Sequence, residues 1–158
     1  MTSGAWKLAL LAVAALLIPA AAAARERVSV VYCEDFTDGG AAFFAAKERP
    51  DGALEFSFSN WMPSGNRASI GGTAQRHGDA WVYRSMENAS KPGRPCVAHI
   101  RVDGKAGARI TAEPLDACDG NQGHRASIGS VDFPAGAYGG PAPNDEPNVN
   151  EDDLGPIC

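Results

Sequence analysis

Three histidines, four cysteines and a repeated arginine motif hold most of the reactive chemistry in this sequence. His77, His99 and His124 stand at no metal-ligand spacing from one another, so no metal site is expected. His124 has Asp116, Asp119 and Ser127 close by in sequence, and carboxylate, imidazole and hydroxyl are the components of a nucleophilic relay. Ser127 has no Gly-Xaa-Ser-Xaa-Gly elbow around it, so no catalytic residue is assigned. Asn148-Val149-Asn150-Glu151-Asp152-Asp153 offers oxygen ligands at alternating positions but lacks the central glycine and closing glutamate of a calcium loop, and it reads as a solvated acidic stretch. No cofactor is implied.

The motif Arg67-Ala68-Ser69-Ile70-Gly71 recurs as Arg125-Ala126-Ser127-Ile128-Gly129, each copy entered through a glycine and a polar residue. The two copies are expected to build the same local structure: a turn feeding a strand whose Ala and Ile face the core, with the final glycine permitting a bulge. An alternative is a duplicated ligand contact through Arg67 and Arg125.

Cys33, Cys96, Cys118 and Cys158 form an even set with no Cys-Xaa-Xaa-Cys pair, the pattern of two structural disulfides. Three pairings are possible. Cys96 with Cys118 is preferred because they flank a hairpin, and Cys33 with Cys158 would then fasten the last residue to the first strand.

The elements that must position these groups read as strands. From Val28 onward, short apolar runs alternate with period two between Gly, Pro, Asp and Asn, and no window sustains a helical stripe. Strands are expected at 28–33, 41–47, 53–61, 68–75, 80–85, 96–102, 108–113 and 125–133. Leu54, Phe56 and Phe58 share one face, as do Cys96, Ala98, Ile100 and Val102, and Ala108, Ile110 and Ala112, while Arg101, Arg109 and Glu113 point outward. Trp81 and Tyr83 share a face that is expected to be the core side. Eight strands at this spacing predict a small antiparallel barrel, since closure removes exposed edges; a two-sheet sandwich is the alternative.

Lys7, the apolar run from Leu8 to Leu17 and Ala22-Ala23-Ala24 have the layout of a signal peptide over residues 1–24. The expected barrel domain is 25–134, followed by a Gly/Pro-rich acidic tail at 135–158. Five acids and no Lys or Arg follow Pro141, leaving residues 25–140 at a net charge of −1. A near-neutral body without a basic stripe argues against nucleic acid as a partner, and no second apolar run predicts a membrane span. A monomer in the periplasm or outside the cell is expected.

Several short segments together resemble the C-type lysozyme inhibitors and related exported β-domains of Gram-negative bacteria. They are Val31-Tyr32-Cys33, Ser64-Gly65-Asn66-Arg67, Gly78-Asp79-Ala80-Trp81-Val82-Tyr83-Arg84, Cys96-Val97-Ala98-His99-Ile100, and Cys118 with Gly123-His124-Arg125-Ala126-Ser127-Ile128-Gly129. In that family a Ser-Gly loop with a basic residue and a tyrosine enters the lysozyme cleft. Ser64, Gly65 and Arg67 match this pattern, and Ala68 stands where it has tyrosine. The resemblance implies a non-catalytic inhibitor of lysozyme or another cell-wall hydrolase. Its contact residues would be Ser64, Gly65, Asn66, Arg67, His124 and Arg125, and Arg67, facing outward, is expected to be dispensable for stability. A carrier holding a hydrophobic ligand against Phe56, Phe58 and Trp81 is the alternative.

Overall fold

The computed structural model describes residues 27–85, 94–114, 118 and 128–142. The segment expected to be a signal peptide, together with His124, Arg125 and Cys158, lies outside them. Among the described residues nine strands form one antiparallel sheet: β1 (Ser29–Asp35), β2 (Ala41–Glu48), β3 (Leu54–Trp61), β4 (Arg67–His77), β5 (Ala80–Ser85), β6 (Cys96–Val102), β7 (Gly107–Glu113), β8 (Ser130–Pro134) and β9 (Tyr138–Gly140). Each strand from β1 to β7 pairs with the next, and β9 returns to pair with the far side of β1. The two outermost strands, β8 and β9, are consecutive in the chain and joined by a single 3-10 turn at Ala135–Ala137. They therefore act as one interrupted strand whose first half closes on β7 and whose second half closes on β1. This is the expected barrel, nearly closed, and it removes the edges an open meander would expose.

The domain boundary differs from the expectation. The sheet runs past Pro134, with Ala137 buried and Tyr138 stacked edge-on against Tyr32, so residues to Gly140 belong to the barrel and not to a tail. Glycine-rich composition hid this strand because Tyr138 is the one side chain in it with apolar bulk. The last long strand also starts later than expected, at Ser130.

The interior is filled by alternating residues from every long strand. Tyr32, Phe44, Phe58 and Phe133 form a run of ring contacts with centroids 5.7–6.3 Å apart, an arrangement that adds to simple area burial. Trp81, Leu54, Ile100 and Ile110 are equally inaccessible, and Tyr83 packs edge-on against Phe56. The core assignment for Trp81 and Tyr83 holds, as do the shared faces in β3, β6 and β7.

Two buried polar tips close one end of the barrel. The Tyr32 hydroxyl donates to the Gly104 carbonyl in the β6–β7 connection, and Trp81 Nε1 donates to the Gly52 carbonyl in the β2–β3 turn at 3.0 Å. A turn carbonyl thus satisfies each donor that burial would otherwise strand. Desolvation is the main reason that the Tyr32 phenol is raised above its ordinary value of 10.0, although the Gly107 backbone works in the opposite direction. A raised folded pKa means that the unfolded chain ionises first, so the contribution is fully present below pH 10 and is lost as pH rises through the folded value. Alkaline melts should show stability falling above about pH 10, and Tyr32→Phe should flatten that fall while costing about 1 kcal/mol at neutral pH. A wild-type fall that persists unchanged in the variant would remove Tyr32 as its source.

Candidate functional site

The β3–β4 connection is a tight turn built from Met62-Pro63-Ser64-Gly65-Asn66. Gly65 N–H donates to Met62 O at 2.9 Å and Met62 N–H donates to Asn66 O at 2.8 Å. Pro63 presets its own φ, and Gly65 takes φ +77°, a value that favours glycine. Asn66 Nδ2 donates to Ser64 Oγ at 2.7 Å, locking the tip, and Pro63, Ser64 and Gly65 are exposed. The same hydrogen-bond frame recurs at Phe36–Gly40 and at Arg49–Ala53, with Gly39 and Gly52 at φ +87° and +85°. A Ser-Gly or Asp-Gly pair here is therefore first a turn requirement, which is why the motif by itself says little about recognition.

Arg67 opens β4 directly opposite Trp61 and lies down along the outer wall of the barrel. Its guanidinium carbon is 5.4 Å from the Trp61 ring centroid, and NH2 donates to Ser59 Oγ at 3.1 Å. Ser64–Asn66 and Arg67 thus form two adjoining surfaces, an exposed tip and a half-buried cation beneath it. The hydrogen bond and the stacking tie Arg67 into the sheet, so it also contributes to stability, contrary to the expectation that it is dispensable.

In an up-and-down meander the β1–β2, β3–β4 and β7–β8 connections all leave from the same end of the barrel. Cys118, within the β7–β8 connection, is bonded to Cys96 at the start of β6, as expected. His124 and Arg125 belong to that connection by sequence and are outside the described residues, as is the relay of Asp116, Asp119, His124 and Ser127. Cys33 is disulfide-bonded as well, and its expected partner Cys158 is also outside them. Of the second copy of the repeat, Ile128 and Gly129 are among the described residues, and the closing glycines of the two copies differ. Gly71 lies inside β4, whereas Gly129 precedes β8 with φ +54° and offers its carbonyl to Ala112 N–H at 2.7 Å.

A second polar surface lies on the outer wall of β6 to β8. Arg101 and Arg109 face each other across β6 and β7, a like-charge pairing that is unfavourable unless compensated. Arg101 meets Asp79 of the β4–β5 turn at 3.3 Å and Arg109 meets Asp132 at 3.2 Å, so an acid from that turn, two bases and an acid run across β6, β7 and β8. A cavity of about 530 Å³ opens beside them and is lined also by Phe133 and Pro134. All four charges are largely exposed, so the pairs contribute at most about 1 kcal/mol each. Alternation placed Arg101 and Arg109 outward, but only the register shows them opposed.

His99 faces outward 3.9 Å from Glu113, and His77 lies exposed at the β4–β5 turn. Among the described residues no group of three His, Cys, Asp or Glu converges to hold a metal ion, and no helix is long and apolar enough to cross a membrane. An all-β fold with a disulfide is consistent with an extracellular location. Comparison of the chain with protein-family models, with curated proteins and with solved structures finds no match.

Proposed function

We propose that this chain is an exported, monomeric, non-catalytic binding protein of the periplasm or the extracellular medium, and that its partner is a cell-wall hydrolase such as a lysozyme. The observation that carries this reading is not the turn frame, which recurs elsewhere, but its combination at β3–β4 of an exposed tip locked by the Ser64–Asn66 hydrogen bond with the Arg67 guanidinium on the wall beneath. A preformed loop loses little entropy on docking, and a guanidinium can grip a carboxylate with paired hydrogen bonds. His124 and Arg125 would add contacts from the β7–β8 connection.

The packed barrel interior weighs against the carrier alternative, because Phe58 and Trp81 already fill the space that a ligand would occupy. The outward faces carry Lys47, Glu55, Arg101, Arg109 and Asp132, a pattern suited to water and not to lipid.

The test is lysis of peptidoglycan by a C-type lysozyme with and without the oxidised protein, from nanomolar to about ten micromolar, a range spanning tight to weak complexes. Inhibition near stoichiometry is expected. Arg67→Ala should weaken it more than tenfold, and it should also cost about 1–2 kcal/mol of stability through the lost hydrogen bond and stacking. Assays therefore belong well below the melting temperature of the variant. No inhibition by the wild-type protein across the range would discard the hydrolase reading.

A further inference from the structure

The outer wall of β1 to β3 is too deeply buried for a barrel face in water. Val31 (0 %), Ala45 (1 %) and Ser59 (5 %) point away from the core by strand alternation yet are inaccessible. The outward-facing Trp61 likewise keeps its indole N–H shielded from water. Val31 and Ala45 form a small cluster of their own with Ala142, and Cys33 and Phe43 are packed against it. Among the described residues, Ala142 is the one beyond β9 that joins this outer cluster, and one methyl group cannot cover three strands.

The remaining sequence supplies a cover. Sixteen residues follow Ala142, with five acids, no Lys or Arg, and Leu154, Ile157 and Cys158 at the end. Extended, sixteen residues reach about 50 Å, whereas β1 to β4 spans three strand spacings, about 14 Å. Cys33 lies on this same wall and is disulfide-bonded, while Cys96 and Cys118 are bonded to each other. Lys47 and Arg67 are the cations on the outward positions of β2 and β4, opposite in sign to the five acids of residues 143–158.

We propose that the outer wall of β1–β4 is the docking surface for residues 143–158, an acidic strap fastened by a Cys33–Cys158 disulfide. Leu154 and Ile157 cover Val31, Phe43 and Ala45, and the acids meet Lys47 and Arg67. If Arg67 also grips a partner, which rests on the binding reading above, strap and partner compete for it.

The experiment needs no partner, so its failure is separate from failure of that reading. Peptide mapping without reductant should recover Cys33 linked to Cys158. Hydroxyl-radical footprinting should then compare the full oxidised chain with the Cys33→Ser/Cys158→Ser variant and with a variant carrying Asn or Gln at Asp145, Glu146, Glu151, Asp152 and Asp153. Oxidation of Phe43 and Trp61 is expected to rise about threefold or more in the serine variant and measurably in the neutralised one, with Trp81 unchanged as the internal marker of a folded barrel. Cys33 linked elsewhere, or equal oxidation of Phe43 and Trp61 in all three proteins, would overturn the strap.

Discussion

Trp81→Ala is expected to lower folding stability by about 3–5 kcal/mol, and the melting temperature by roughly 12–20 °C for a domain of this size. Trp81 is fully inaccessible and the largest of the buried side chains. Its removal leaves a cavity in a barrel whose hydrogen-bonded wall cannot collapse inward to fill it. It also strips the Gly52 carbonyl of its indole donor and Arg76 of the ring that it covers at 4.2 Å. Trp81→Phe separates these contributions, keeping most of the packing and losing the donor, and should cost about 1–2 kcal/mol. Urea melts of both variants check the prediction. A cost below about 1 kcal/mol for the alanine variant would mean that the core repacks around the missing ring.

The second large effect is expected from the Cys96–Cys118 disulfide. It closes a loop over a sequence separation of 22 that contains the whole β6–β7 hairpin. In the chain-entropy account, losing such a closure costs about 3 kcal/mol, mostly by freeing the unfolded chain. Both residues are buried, so Cys96→Ala/Cys118→Ala is the suitable replacement, since serine would add unpaired hydroxyls. The double variant should melt roughly 10–15 °C lower with its strand content intact. An unchanged melting temperature would show that hairpin pairing alone already confines these ends.

Both effects explain why so much of the barrel was legible beforehand. Period-two alternation assigned Leu54, Phe56 and Phe58 to one face, and Ala98, Ile100, Ala108 and Ile110 to another, because a pleated strand leaves no other choice. Turn chemistry at Arg49-Pro50-Asp51-Gly52 and at Asp103–Gly107 cut the strands apart in the right places. Such signals are local, and they survive in a single sequence. The Cys96–Cys118 pairing followed from the same hairpin.

The candidate site was less legible. Ser64-Gly65 looked like a recognition motif, yet Asp38-Gly39 and Asp51-Gly52 build the same turn for the same backbone reason. Arg67 was identified, but its position over Trp61 and Ser59 depends on strand register, which the sequence does not print. Arg125 and Arg67 share a five-residue motif, and the structure gives the glycines of the two copies different backbones.

From the sequence by itself came the all-β class, the hairpin order, the inward faces and the disulfide between Cys96 and Cys118, all of which depend on neighbours within a strand or across one turn. Tertiary structure alone decided how the barrel closes, with Ala135–Ala137 splitting one strand between β7 and β1, since that pairing joins residues a hundred positions apart. It alone set Arg101 against Arg109 and buried the outward Val31 and Ala45. Burial on an outer wall is a property of what lies across it in space, and alternation along a strand carries no record of that.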